Sequence, residues 1–118
     1  MDESPKHSKF LLLVPTTFND GKQVPTSSFV DLQDRLFALF NGFTIGGAVE
    51  GAYRMANGSK AVDHLIQYWI VIQEGQEKAL RQLVAVLAKE LGQGSMFLEK
   101  TGSTVDFVTA FDESGDES

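Results

Sequence analysis

Two stretches of this chain, residues 29–40 and 77–91, repeat their apolar side chains at helical spacing, while the segments around them are rich in β-branched and aromatic residues. The order is therefore strand, helix, strands, helix, strands, which confines the chain to α+β architectures. At 118 residues it is the size of one domain, and with 42% apolar residues and nine Phe it can bury a core without disulfides or a structural metal. It has no cysteine, which excludes thiol nucleophiles, iron–sulfur clusters and disulfide frameworks.

The run Lys9-Phe10-Leu11-Leu12-Leu13-Val14 ends at Pro15 and reads as a buried first strand near the centre of a sheet. Asn19-Asp20-Gly21 and Pro25 mark a turn-rich loop before the first helix, with Ser27 or Ser28 as cap and Asp31 in the first turn. Phe29, Leu32, Leu36, Leu39 and Phe40 form its apolar stripe, and Asn41-Gly42 stops it. Extended structure resumes at Phe43-Thr44-Ile45, is interrupted at Gly46-Gly47 as by a bulge, and continues over residues 48–55. Asn57-Gly58 predicts a type I′ hairpin turn into a strand over residues 61–73. Period-2 alternation puts Ile66, Tyr68, Ile70 and Ile72 on one face of that strand and Leu65, Trp69 and Val71 on the other, so both faces carry apolar area.

The second helix shows Leu80, Leu83, Val84, Leu87 and Leu91 on one stripe and ends at Gly92. Residues 95–100, a Thr101-Gly102-Ser103 turn and residues 104–108 read as a terminal hairpin. The expected fold is a ferredoxin-like split βαβ arrangement: an antiparallel sheet, two helices on one face and an extra C-terminal hairpin. One α+β domain over residues 9–111 is expected between a flexible start, 1–8, and an acidic disordered tail, 112–118.

The formal charge is −6, and Asp112, Glu113, Asp116 and Glu117 supply four of these charges, leaving −2 elsewhere. This sign weighs against nonspecific binding to nucleic acid, which needs clustered Lys and Arg. The apolar run at residues 10–14 is too short for a signal peptide core or a membrane span, so the expected setting is the cytoplasm, without membrane attachment.

Thr17-Phe18-Asn19-Asp20-Gly21, Phe43-Thr44-Ile45-Gly46-Gly47, Gly51-Ala52-Tyr53 with Asn57-Gly58, and Leu91-Gly92-Gln93 before Met96-Phe97-Leu98-Glu99 are motifs of turn, helix and strand geometry. In these runs and in their order the chain resembles a group of small, uncharacterised bacterial α+β proteins. The resemblance implies a small α+β fold and brings no activity and no catalytic residue; Tyr53 stands where that group is expected to carry Trp.

Few residues suggest chemistry. Asp63 and His64 adjoin, but neighbours on a strand point to opposite faces and do not form an acid/base pair. Glu50, Tyr53 and Arg54 follow the glycines, where a bulge re-aims polar groups, and an Arg beside a Tyr can grip a carboxylate or phosphate; with His64 they are the candidate ligand-binding set. The bland alternative is a solvated edge with Arg54 paired to Glu50 or Glu74. The glycines precede no helix and no Gly-Lys-Ser/Thr, and His7 and His64 lack metal-site spacing, so no cofactor, metal or catalytic set is assigned.

Trp69, with Leu65 and Val71, is the candidate interface: an apolar sheet face without helices on it is expected to be covered by a second copy, giving a homodimer. A stacking platform for bases is the lesser reading of Trp69. The leading expectation is a noncatalytic homo-oligomeric module that binds a protein partner or a small ligand. The alternatives are a small ferredoxin-like dimeric enzyme acting on an anionic small molecule, with His64 or Tyr53 as acid/base, and an acidic inhibitor of a nucleic-acid-binding partner.

Overall fold

The computed structural model describes residues 6–102 and 105–110. The elements run β1 (His7–Pro15), α1 (Thr26–Phe40), β2 (Thr44–Arg54), β3 (Lys60–Gln73), α2 (Glu77–Glu90) and β4 (Leu98–Lys100). The four strands form one sheet in the order β2-β3-β1-β4, antiparallel at each junction, so β1 lies inside the sheet as its apolar run requires.

Phe10, Leu12 and Val14 of β1 and Tyr68, Ile70 and Ile72 of β3 share a buried cluster with Leu32, Leu36 and Phe40 of α1 and Leu80, Leu83, Val84 and Leu87 of α2. Both helices therefore lie against one face of the sheet. Full burial of each such aliphatic or aromatic side chain contributes about 1.5–3 kcal/mol, which makes this layer the main source of stability. The Tyr68 hydroxyl accepts a hydrogen bond from Gln33 Nε2 at 3.0 Å, and burial of the ring raises its pKa while that bond works in the opposite direction. Arg35 joins the helices by pairing with Asp31 at 2.6 Å and Glu90 at 3.0 Å. Its pKa is raised, chiefly by the hydrogen bond to Glu90.

Several local expectations change. α1 begins at Thr26 with Pro25 as cap residue, so Ser27 and Ser28 lie inside the helix and Asp31 lies beyond its first turn. Proline is already set at the extended φ that a helix entry uses, here −61°, and preempts the serines. Leu39 is half exposed because it sits off the buried Leu32-Leu36-Phe40 line. Asn41 closes the helix in the left-handed region at φ 67°.

The hairpin turn is not type I′. Only Gly58 has positive φ there; its N–H donates to the Met55 carbonyl at 2.9 Å, and Met55 N–H donates to Ser59 O at 2.7 Å. This is a three-residue loop closed by a glycine bulge, because the Asn57 carboxamide accepts from Ser59 N–H and Oγ instead of entering the left-handed region. β1 begins at His7, inside the stretch expected to be flexible, since Ser8 and His7 continue the pairing with Ile72 and Gln73. At the other end β4 is three residues long, and residues 105–110 form no strand, so no terminal hairpin is present among the described residues. Ser103, Thr104 and the acidic stretch 112–118 lie outside them.

Candidate functional site

Three parts of the fold carry the residues singled out in the sequence: the sheet face away from the helices, the β2–β3 hairpin and the loop before β4. On the open face Leu65, Trp69 and Val71 stand with Leu11 and Leu13 of β1, as their alternation predicts. They are not equally available. Leu65 is only 7% exposed, opposite Pro15, whereas Trp69, Val71, Leu11 and Leu13 are half-buried. The Lys9 ammonium lies 4.4 Å from the centre of the Trp69 ring, a cation–π contact that covers part of it.

Gly46-Gly47 is the expected bulge, with the register between β2 and β3 shifting between Ile45 and Gly47. A Cβ on Gly46 would stand 2.5 Å from Gln67 Oε1 and 2.7 Å from Trp69 Nε1, so the glycine lets the indole edge approach the neighbouring backbone. Gly51 has a similar reason: the Tyr53 hydroxyl folds back to 2.7 Å from where its Cβ would be.

The candidate ligand set does not come together within one chain. His64 Nδ1 lies 3.5 Å from Glu50 Oε1, both exposed and directly opposite on the ladder. Arg54 shares their face but lies four residues along an extended strand, about 13 Å away. It pairs with neither Glu50 nor Glu74; its Nη1 donates to the Gly58 carbonyl at 3.4 Å, and Lys60 is its cross-strand neighbour. Tyr53 points to the other face, with Asp63 on the adjacent strand.

On that other face Tyr53 and Asp63 line a cleft of about 360 Å³ whose remaining wall is Leu13, Pro15, Leu65 and the loop residues Gln93, Ser95, Met96 and Phe97. An aromatic ring, a carboxylate and a thioether around an apolar floor suit a small amphipathic molecule. In the sequence these loop residues stand out only as a motif and as part of the strand expected over residues 95–100, and nothing there marks them as a cleft wall, because they follow no period. They are positioned from a distance: Asn19 Nδ2 donates to the Gly92 carbonyl at 2.9 Å and Gln93 Nε2 donates to Asn19 Oδ1 at 3.2 Å. The Asn19-Asp20-Gly21 turn thus docks on the Leu91-Gly92-Gln93 step, which explains why both runs stand out. A second cleft of about 360 Å³ lies at the opposite end, where Trp69 and Val71 meet Phe43, Thr44 and Phe107. Among the described residues no three His, Asp or Glu side chains gather as a metal site. No described helix is long and apolar enough to cross a membrane.

No protein-family profile matches the chain, and no curated protein does. Among solved structures it is similar to a phage SAM lyase in complex with S-methyl-5'-thioadenosine, with a TM-score of 0.63 over 90% of each chain. At 15% sequence identity this likeness concerns the fold alone.

Proposed function

We propose that this chain is a homo-oligomeric α+β protein of ferredoxin-like topology whose open sheet face packs against a second copy and whose neighbouring cleft takes a small ligand. One observation carries this reading: the face opposite the helices bears Leu11, Leu13, Trp69 and Val71 with no described helix or strand over it, only Phe107 at one end and the loop residues Met96 and Phe97 at the other. A one-sided sheet of this kind is stabilised by burying its apolar face, and a two-fold axis lets the same residues serve both partners. Trp69 and Val71 are the half-buried members of the candidate interface, with Leu65 as already buried support. The test is the subunit number of Trp69→Glu, which places a charge at the centre of the contact. A lower oligomeric order with an unchanged circular dichroism spectrum supports the reading; an unchanged order removes the interface.

A second reading, a small enzyme, draws on the fold it shares with the SAM lyase and on the Tyr53–Asp63 cleft. Here Tyr53 and Asp63 are the polar groups offered to the substrate, and His64, on the opposite face, is not in contact with it. Incubation with SAM, with S-methyl-5'-thioadenosine followed by mass spectrometry, checks it. Product formation lost in Asp63→Asn would support it. Neither turnover nor a thermal shift with S-methyl-5'-thioadenosine would leave the noncatalytic module as the reading.

A further inference from the structure

β2 is an edge strand, and its only ionic side chains are Glu50 and Arg54. An outer strand normally carries devices against pairing with another chain, such as proline, several lysines or a covering segment. β2 has neither proline nor lysine, and nearly all its residues are exposed.

The direction of its free backbone groups can be fixed. Met55 N–H donates to Ser59 O at 2.7 Å, and on the far side of β3 the His64 carbonyl accepts from Thr16 N–H at 2.9 Å. Backbone groups of successive residues alternate across an antiparallel ladder, so Gly51 and Tyr53 turn theirs toward β3 while Glu50, Ala52 and Arg54 turn theirs outward.

A second β2 meeting this row antiparallel has few symmetric registers, and charge separates them. Centred on Glu50 the pairing sets carboxylate against carboxylate, and centred on Arg54 it sets guanidinium against guanidinium. Centred on Gly51 or Tyr53 it sets each charge opposite an alanine. Centred on Ala52 it sets Glu50 opposite Arg54, twice. This register also answers one feature of the single chain. Arg54 faces the like charge of Lys60 and makes no ion pair among the described residues. On the other face Tyr53, whose ring lies over Gly51 of its own chain, stands opposite Gly51 of the second copy.

We infer that β2 is a self-pairing edge: a second copy of this chain adds antiparallel to it about a two-fold axis at Ala52, joining the two sheets into one. The pairing places Glu50 between His64 of its own chain and Arg54 of the second copy. Glu50, His64 and Arg54 of the candidate ligand set are thereby brought together across the axis, while Tyr53 stays on the other face. This surface is distinct from the open face around Trp69, and its test separates the two.

The test uses the full chain, which has no cysteine of its own. In this register the two Ala52 Cα atoms are about 5.5 Å apart, within the range a disulfide spans. Ala52→Cys, oxidised with diamide, is expected to run as a disulfide-linked dimer, whereas Lys60→Cys, on the same arm and also exposed, stays mostly unlinked. The linkage is expected to persist in the Trp69→Glu background. In sedimentation velocity without cysteines, Glu50→Arg and Arg54→Glu are each expected to weaken association about tenfold, from two like-charge contacts per dimer, and the double variant to restore it. Ala52→Cys linking no faster than Lys60→Cys, or single reversals that leave association unchanged, would overturn the proposal.

Discussion

Replacing Gly46 by Ala tests how the glycine doublet shapes the open face. The new methyl stands 2.5 Å from Gln67 Oε1 and 2.7 Å from Trp69 Nε1, both well inside contact distance. The Gln67 amide is the end of a flexible side chain and can swing away; the indole is rigid and must move as a ring. Overpacking of this kind costs about 1–3 kcal/mol, and the freedom of Gln67 places Gly46→Ala in the lower half of that range. Restricting the unfolded chain offsets about 0.4–1 kcal/mol, leaving a net loss near 1 kcal/mol. For a domain of this size that lowers Tm by about 5 °C. The chain has a single Trp, so its emission reports on Trp69 alone, and Gly46→Ala should shift it along with the thermal midpoint. Gly47→Ala is the control: nothing lies within 4 Å of its Cβ position but its φ is +108°, so it should lower Tm while leaving the emission unchanged. An unaltered emission and midpoint in Gly46→Ala would refute the close approach.

Leu36→Ala removes a side chain that is fully buried between helix and sheet and should cost about 2–5 kcal/mol in denaturant unfolding; a loss below 1 kcal/mol would place Leu36 outside the core. Tyr68 has a folded pKa raised above 10.0 by burial, so above that pH the unfolded state binds fewer protons and stability is lost as pH rises. Absorbance titration should show one tyrosine ionising late, coincident with unfolding, and that late step should vanish in Tyr68→Phe. Glu77 is held below its ordinary 4.5 by hydrogen bonds from Arg81 and Lys100, so the unfolded state takes up protons first and stability falls as pH drops through the acid range. Thermal midpoints followed through that range should fall less steeply in Arg81→Met.

The framework of the fold was legible because its periods are strong. The alternation in β3 separates Tyr68, Ile70 and Ile72 from Trp69 and Val71, and the α2 stripe from Leu80 to Leu91 is buried throughout. What the sequence hid depends on contacts between distant residues. The Asn19–Gln93 link that sets the loop before β4 spans 74 positions, and the Phe97 and Met96 wall of the cleft follows from it. The Asn57-Gly58 signal named a hairpin correctly and its turn wrongly, because the Asn57 carboxamide found Ser59 as a local partner. The candidate ligand residues are neighbours in sequence, and strand geometry spreads them: Tyr53 and Arg54 face opposite ways, and His64 meets Glu50 alone.

The most direct measurement of the central claim is sedimentation velocity of the unmodified chain and Trp69→Glu, side by side over two decades of concentration. Packing of the open face predicts an oligomer for the unmodified chain and a lower order for Trp69→Glu at every concentration. The same order for both would contradict it.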